Sequence, residues 1–395
     1  MNSSPCYLNA LGMLCSSGDS TAEVKRGLLS GQTRLTASDA FSAGKILQLG
    51  LYQGDLPSVP LPDKKWHSRN NQFALAALNQ IESEVADAID HYGALRVGVI
   101  IGTSTSGVAE AEFAIKQWVR GGEVPSGYDY GLQEPGATAQ FIASVLEIKG
   151  PTFGISTACS SGAKALASAR RLIRAGICDA VIAGGVDTLC QLTVSGFSSL
   201  EAVSESRCNP FSKNRKGINI GEGAALFLVT SEVRGVELSG VGEGSDAYHI
   251  SAPEPSGAGA VRCMTSALDD GSVAATEVGY VNLHGTATVL NDQMESLAMQ
   301  QVFGLDTLCS STKPFTGHTL GAAGAIEAGI CWLTLEAGDS ELLPVHVWDG
   351  IRDPELPYIN LVSPGSRLQS PLRYVLSNTF AFGGSNISIL LGRIH

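Results

Sequence analysis

Short runs of β-branched and apolar residues alternate with alanine-rich stretches of helical period along the chain. Near-continuous apolar runs at 97–101, 152–156, 180–183 and 224–229 predict strands buried on both faces. Further strands are predicted at 279–283, 308–311, 374–377 and 387–391. Helical spacing predicts helices over 72–92, 161–175, 259–269, 292–302 and 320–336. In the second of these, Ala163, Leu166, Ala167 and Ile173 form an apolar face and Gly176 supplies the stop. The alternation of strand and helix predicts an α/β fold with a parallel or mixed sheet. A join near 231–237 separates two α/β stretches, giving halves over 1–232 and 233–395. Each half runs a strand into small residues, Thr157-Ala158-Cys159-Ser160-Ser161-Gly162 in one and Thr379-Phe380-Ala381-Phe382-Gly383-Gly384-Ser385 in the other. That pairing suggests a duplication.

Composition narrows the field. Of 395 residues only 16% are charged, against a usual value near 25%. Such a chain has much interior and little water-facing surface, and part of that surface is expected in an oligomer interface. The formal charge of −12, with no basic block, argues against nucleic acid. No apolar run approaches the ~20 residues of a membrane span, and the N-terminal stretch lacks a signal-peptide pattern. The nine cysteines are scattered without a C-x-x-C pair. This argues for a reducing, cytoplasmic setting and against a metal site or disulfide framework.

Cys159 is the sharpest chemical candidate. It sits where a strand ends and a helix begins, where the helix dipole favours a thiolate and unpaired N–H groups can receive an oxyanion. His284 and His318 follow predicted strand ends beside glycine, the place where open α/β sheets build sites. Together they make a Cys-His-His set drawn from separate loops. Gly102-Thr103-Ser104-Thr105-Ser106-Gly107 has a phosphate-binding look but lacks the Lys-Ser/Thr of a P-loop. No G-x-S-x-G elbow is present for a serine hydrolase.

Six segments, in order, resemble the elongating β-ketoacyl-acyl-carrier-protein synthases: STACSSGAKAL, NPFSKNRKGINIGEGAALFLV, SDAYHISAPEPSGAGA, YVNLHGTATVLND, STKPFTGHTLGAAGAIEAG and SNTFAFGGSN. The resemblance implies the thiolase fold, two duplicated halves in five α/β/α/β/α layers, usually dimeric. It implies that Cys159 takes an acyl group from an acyl carrier protein as a thioester. The N–H groups of Cys159 and Phe382 would form the oxyanion hole. His284 and His318 would act in decarboxylation of malonyl-carrier protein rather than in acylation. Lys313 would orient His318, with Glu327 paired to Lys313. Thr286 and Thr288 would bind the pantetheine arm. Phe382 would gate the acyl tunnel, and Asp246 would belong to a second loop, 244–256, moving with it; His249 in that loop reads as structural.

No cofactor is implied beyond the phosphopantetheine of the carrier protein. The partner subunit would be a second copy or a related ketosynthase or chain-length subunit. Ala381 and Leu283 depart from the family pattern, which normally has Gly and a smaller residue there, and bear on gating and chain length. Two basic clusters, Lys64-Lys65-Arg69 and Lys213-Arg215-Lys216, are candidates for docking the acidic carrier. A thiolase is disfavoured because no cysteine follows Cys331. A silent chain-length partner is disfavoured because Cys159 and both histidines are retained.

Overall fold

The computed structural model describes residues 4–42, 44–336, 343–368 and 371–394. Eleven strands among them form one hydrogen-bonded sheet. From one edge the first half runs Thr152–Ile155, Val97–Gly102, Ala180–Asp187, Gly223–Thr230, Tyr7–Cys15. The second half continues with Val236–Ser245, Ser385–Arg393, Tyr374–Phe380, Val278–Asn282, Leu308–Ser310 and the edge strand Asn360–Leu361. The halves meet through the antiparallel pairs Tyr7↔Glu237 and Leu8↔Val236. With the edge strand Asn360–Leu361 set aside and the other strands numbered by appearance within each half, both halves have the order 3-2-4-5-1, with the same parallel and antiparallel neighbours.

Helices Ser161–Arg174 and Ala323–Glu336 pack against strands of both halves and against each other, forming the central layer. Arg69–Asn79, Glu82–Tyr92 and Ala137–Val145 cover the outer face of the first half; Ala258–Gly271 and Val289–Phe303 cover that of the second. The result is five layers, α/β/α/β/α, the thiolase fold. Three apolar cores fill the spaces between them: a central one shared by both halves and one under each outer layer. Among the described residues, no helix is long and apolar enough to cross a membrane.

The topology corrects one expected pairing. The equivalent of the turn around Cys159 lies after the third strand of the second half, in residues 311–322, and not at 379–385. Both central helices follow a third strand and cross to a fourth, whereas 381–384 joins a fourth strand to a fifth. The expected helix over 72–92 is two helices, broken at Gln80. The Gln80 side chain bonds Met13 N–H and the Met13 and Asp19 carbonyls, so it serves the neighbouring strand.

Candidate active site

Chain geometry first fixes the thiol. Strand Thr152–Ile155 reaches helix Ser161–Arg174 through five residues, with Ala158 in the left-handed region at φ 53°. Ser161 braces this turn: its hydroxyl donates to the Ala158 carbonyl at 2.6 Å and accepts the Thr157 N–H at 2.9 Å. Gly162 permits the approach of the second central helix, since a Cβ there would lie 2.8 Å from Ala325 Cβ. Cys159 is buried at the turn. The N–H groups of Phe382 and of Cys159 itself face its sulfur. The expected net lowering of its pKa does not occur. Burial pushes the thiol up to about 11, outweighing Lys313 and the two N–H groups that favour the anion.

The second half brings the histidines. His284 follows strand Val278–Asn282 and His318 lies in the 311–322 connection. The Cys159 sulfur and one ring nitrogen from each histidine lie within 4.8 Å of one another. His318 Nε2 is 3.0 Å from Sγ, and the two imidazoles stand edge to face at 5.5 Å. His318 is anchored to the first half: its N–H donates to Asn219 O at 2.6 Å and its carbonyl accepts from Gly221 N–H at 2.9 Å. Burial holds both histidines well below the usual imidazole range, with Lys313 adding to the effect and His318 adding further at His284. They are neutral at pH 7.

Hydrogen bonding settles their tautomers. Lys313 Nζ lies 3.4 Å from His284 Nδ1 and also donates to the His284 carbonyl. An ammonium has only donors, so Nδ1 is bare and the proton sits on Nε2. His318 Nδ1 is buried with no partner among the described residues. An orphaned buried N–H is rarer than an under-satisfied acceptor, so here too the proton belongs on Nε2, pointing at the sulfur. Lys313 donates to Glu327 Oε1 at 2.5 Å, and both side chains are nearly fully buried. Burial raises the Glu327 carboxyl to about 7 and Lys313 opposes the rise. The expectation that Lys313 orients His318 is therefore corrected. Its contacts are with His284 and Glu327, and it reaches His318 only through its charge.

A cavity of 460 Å³ opens onto this set, lined among others by Cys159, His284, His318, Thr286, Thr288 and Phe382. Thr286 and Thr288 hydroxyls lie 2.9 Å apart. Phe382 packs on Phe197 at 5.5 Å between ring centres. Gly383 and Gly384, at φ 79° and 72°, take the left-handed conformations of the tight turn behind it. Ala381 has φ −94°, which any residue adopts, so its departure from glycine leaves the turn intact. Leu283 is buried in the second-half core with Phe211 and Phe380, outside the cavity lining. Asp246 accepts from Asn386 Nδ2 at 2.8 Å and its N–H donates to Gly384 O at 2.9 Å, tying the 244–256 loop to the 381–384 turn. His249 Nδ1 accepts the N–H groups of Ser251 and Ala252, a structural role.

The basic clusters divide. Arg69 is locked to buried Glu222, with Nη2–Oε1 at 2.6 Å and Nε–Oε2 at 3.0 Å. Arg215 is nearly buried and paired with Asp353 at 2.5 Å. Neither is free to dock a partner, because each spends its guanidinium on an internal carboxylate. Lys64, Lys65, Lys213 and Lys216 remain at the surface, Lys64 donating to Ser126 O and Lys65 lying over Trp66.

Sequence reasoning missed two buried carboxylates. Glu295 accepts the N–H groups of His284 and Gly285 at 2.8 and 2.7 Å, fixing the histidine turn. Asp187 accepts from Thr103, Thr105 and Ser104 N–H, and also from Gly321 N–H at 2.6 Å. The phosphate-like 102–107 loop thus wraps an internal carboxylate and ties it to the His318 connection. The donor-rich loop itself was the available signal for Asp187; nothing in the sequence marks Glu295.

Residues 71–234 match the family model for the beta-ketoacyl synthase N-terminal domain, and 236–341 that for the C-terminal domain. A 3-oxoacyl-[acyl-carrier-protein] synthase 2 of Staphylococcus aureus is 34% identical over 346 residues, covering 82% of this chain and 84% of that protein. A ketosynthase structure solved with its chain length factor, from Xenorhabdus doucetiae, superposes with TM-score 0.94 at 44% identity, covering 99% of this chain and 98% of the matched one. A beta-ketoacyl synthase from Burkholderia phymatum gives TM-score 0.88 at 27% identity, covering 99% and 100%. With both domains matched in order and a relative a third identical across most of its length, the chain belongs to the beta-ketoacyl synthase family.

Proposed function

We propose that the protein is a β-ketoacyl-acyl-carrier-protein synthase that condenses malonyl-carrier protein with an acyl chain held on Cys159. The observation that carries this reading is the convergence of one buried thiol with two neutral imidazoles that both present Nε2–H. In the first step the Cys159 sulfur bonds the acyl carbonyl carbon. The bond to the pantetheine sulfur breaks, and the thiol proton leaves with the departing pantetheine thiol. Malonyl then loses CO₂, and the electron pair of the broken C–C bond forms an enolate. Its oxygen accepts from His284 and His318 Nε2–H. The enolate carbon attacks the acyl-Cys carbonyl, whose oxyanion is held by the N–H groups of Cys159 and Phe382. Collapse releases the β-ketoacyl product and Cys159 thiolate, which recovers a proton from water.

Lys313 fixes the His284 tautomer and Glu327 neutralises Lys313. Thr286 and Thr288 hold the pantetheine arm that carries the substrates; no other cofactor is assigned. Lys64, Lys65, Lys213 and Lys216 are the docking cations left for the carrier protein. The division into halves at 232/233 is supported by the meeting of the two family models at 234 and 236. A partner subunit, a second copy or a chain-length subunit, is supported by exposed Phe113, Trp118 and Val119 on helix Val108–Gly121 and by the Xenorhabdus complex. Nine free, buried cysteines suit a reducing cytoplasm.

The test is incubation with acyl-carrier protein followed by proteolysis and mass spectrometry. An acyl adduct on the Cys159 peptide, discharged as β-ketoacyl product with CO₂ on adding malonyl-carrier protein, is expected. An adduct elsewhere, or none, overturns the reading.

A further inference from the structure

The gate turn is held on two sides. Toward the 244–256 loop, Gly383 N–H donates to Ile250 O at 2.8 Å and Gly384 O accepts from Asp246 N–H at 2.9 Å. Toward the central helix, Lys164 Nζ donates to the Ser385 hydroxyl at 2.7 Å. Ser160 Oγ lies 3.4 Å from the same hydroxyl and donates to the Thr157 carbonyl at 2.7 Å. This second anchor runs from the gate turn into the elbow that carries Cys159.

Lys164 is unusually placed for a lysine. It sits in the first turn of helix Ser161–Arg174, half-buried, where a cation also opposes the helix dipole. Among the described residues it has no salt bridge, and the Arg171 cation acts against its charge. Burial lowers its pKa. An ammonium kept there without a carboxylate loses water, and what it gains is a hydrogen bond to the hydroxyl of a turn that has two left-handed glycines beside it. Moving the turn away would leave that ammonium short of a partner.

We propose that Lys164 is a positioning residue that latches the gate turn through Ser385, keeping the Phe382 N–H aimed at the oxygen on the Cys159-bound carbon and the Phe382 ring packed on Phe197 in the cavity that Cys159 lines. The latch has two consequences of opposite sign. Loosening it misplaces an oxyanion donor and slows chemistry, yet it opens the way to Cys159 for a bulky chain. General destabilisation would not separate these effects by probe size.

The inference rests on the proposed condensing function only for its kinetic arm. Wild type, Lys164→Met, Ser385→Ala and the double variant are compared in two assays. One is condensation with carrier-bound substrates; the other is alkylation of Cys159 by iodoacetamide and by an N-dodecyl iodoacetamide, read by peptide mass. Loss of one charge-assisted hydrogen bond predicts a kcat lower by roughly tenfold with KM unchanged. The dodecyl probe should gain by a similar factor relative to iodoacetamide, whose rate reports the change in thiolate reactivity that both probes share. The double variant should match the single ones, since both break the same contact. Additive effects, or equal changes for both probes, overturn the latch. If Lys164→Met fails to fold by thermal melting, Ser385→Ala must show the same opposed signs alone. If wild type never forms β-ketoacyl product, the functional reading fails while the probe rates still decide the latch.

Discussion

In the first half, Thr152–Ile155 passes to its central helix through residues 156–160; in the second, Leu308–Ser310 passes to its central helix through 311–322. The two connections occupy equivalent places in the same 3-2-4-5-1 sheet order. The short one can do little but turn. It has a left-handed Ala158 and delivers one side chain, Cys159, to the start of a helix. The longer one has room for Lys313 in a short helical turn and for His318 against Asn219–Gly221. Its helix then adds Glu327 beneath Lys313. One fold, used twice, thus yields a tight seat for a buried thiol in one copy and a polar array of Lys313, His318 and Glu327 in the other.

The short connection is the place to break the comparison most severely. Cys159→Ser keeps the turn and nearly the volume but removes the sulfur nucleophile. It should abolish the acyl adduct and cut condensation by more than about 10³-fold, read by intact mass and product formation. An adduct persisting in this variant and mapped by peptide mass away from position 159 would mean that another residue holds the chain.

The long connection should split more finely. His284→Ala and His318→Ala each remove one enolate donor, and each should slow CO₂ release from malonyl-carrier protein by about 10²–10³-fold. They should part company in acylation. His318 Nε2 lies 3.0 Å from Sγ, so it also supports the developing thiolate. Its loss should slow acyl transfer to Cys159 by about tenfold, while His284→Ala leaves that half-reaction near wild type. This departs from the sequence-based expectation that neither histidine serves acylation, and stopped-flow acylation of the two variants decides it.

Much of this site was legible before the structure, and for a physical reason. Cys159, His284 and His318 each stand in short runs of small residues at strand ends, where chemistry and backbone approach leave a local mark. The supporting groups leave none. Glu295 lies on a helix that reads as ordinary surface, yet its carboxylate is fully buried on the His284 turn. Lys164 reads as the polar side of an amphipathic helix. Arg69 and Arg215 read as free surface cations because their carboxylates, Glu222 and Asp353, are far along the chain. The two strands that join the halves were missed for a related reason. Tyr7–Cys15 is interrupted by Asn9 and Gly12, and Val236–Ser245 is rich in glycine and acid. Their burial comes from neighbours, not from their own composition.

The pair beneath the long connection should respond in stability. Lys313→Met leaves Glu327 buried without its cation and should cost about 3–5 kcal/mol in denaturant unfolding. Lys313→Met combined with Glu327→Leu removes both charges and should recover most of that loss. If the double variant is as unstable as the single one, the pair is held for packing and not for charge.

The last and smallest effect concerns how the long connection is held at its origin. His346 Nδ1 accepts the Ser311 N–H and Nε2 faces the Pro210 carbonyl, both at 3.1 Å, so the ring bears its proton on Nε2 and is neutral. Burial lowers its pKa from 6.5 to about 4. Between these values the unfolded chain binds a proton there and the folded chain does not. The contribution of His346 to stability is therefore whole above pH 6.5 and is lost as pH falls toward 4, by about 3 kcal/mol in total. His346→Gln cannot titrate. Its stability deficit against wild type should be largest at pH 7 and shrink by about that amount on acidification to pH 4. Buried Glu295 and Asp292, raised to about 7 and about 6, act with the opposite sign, but they are common to both proteins and cancel in the difference. Urea unfolding of the two proteins across this range measures the slope. A deficit that stays constant with pH would show that the ring titrates alike in the folded and unfolded chains and that the Ser311 bond is not what anchors the connection.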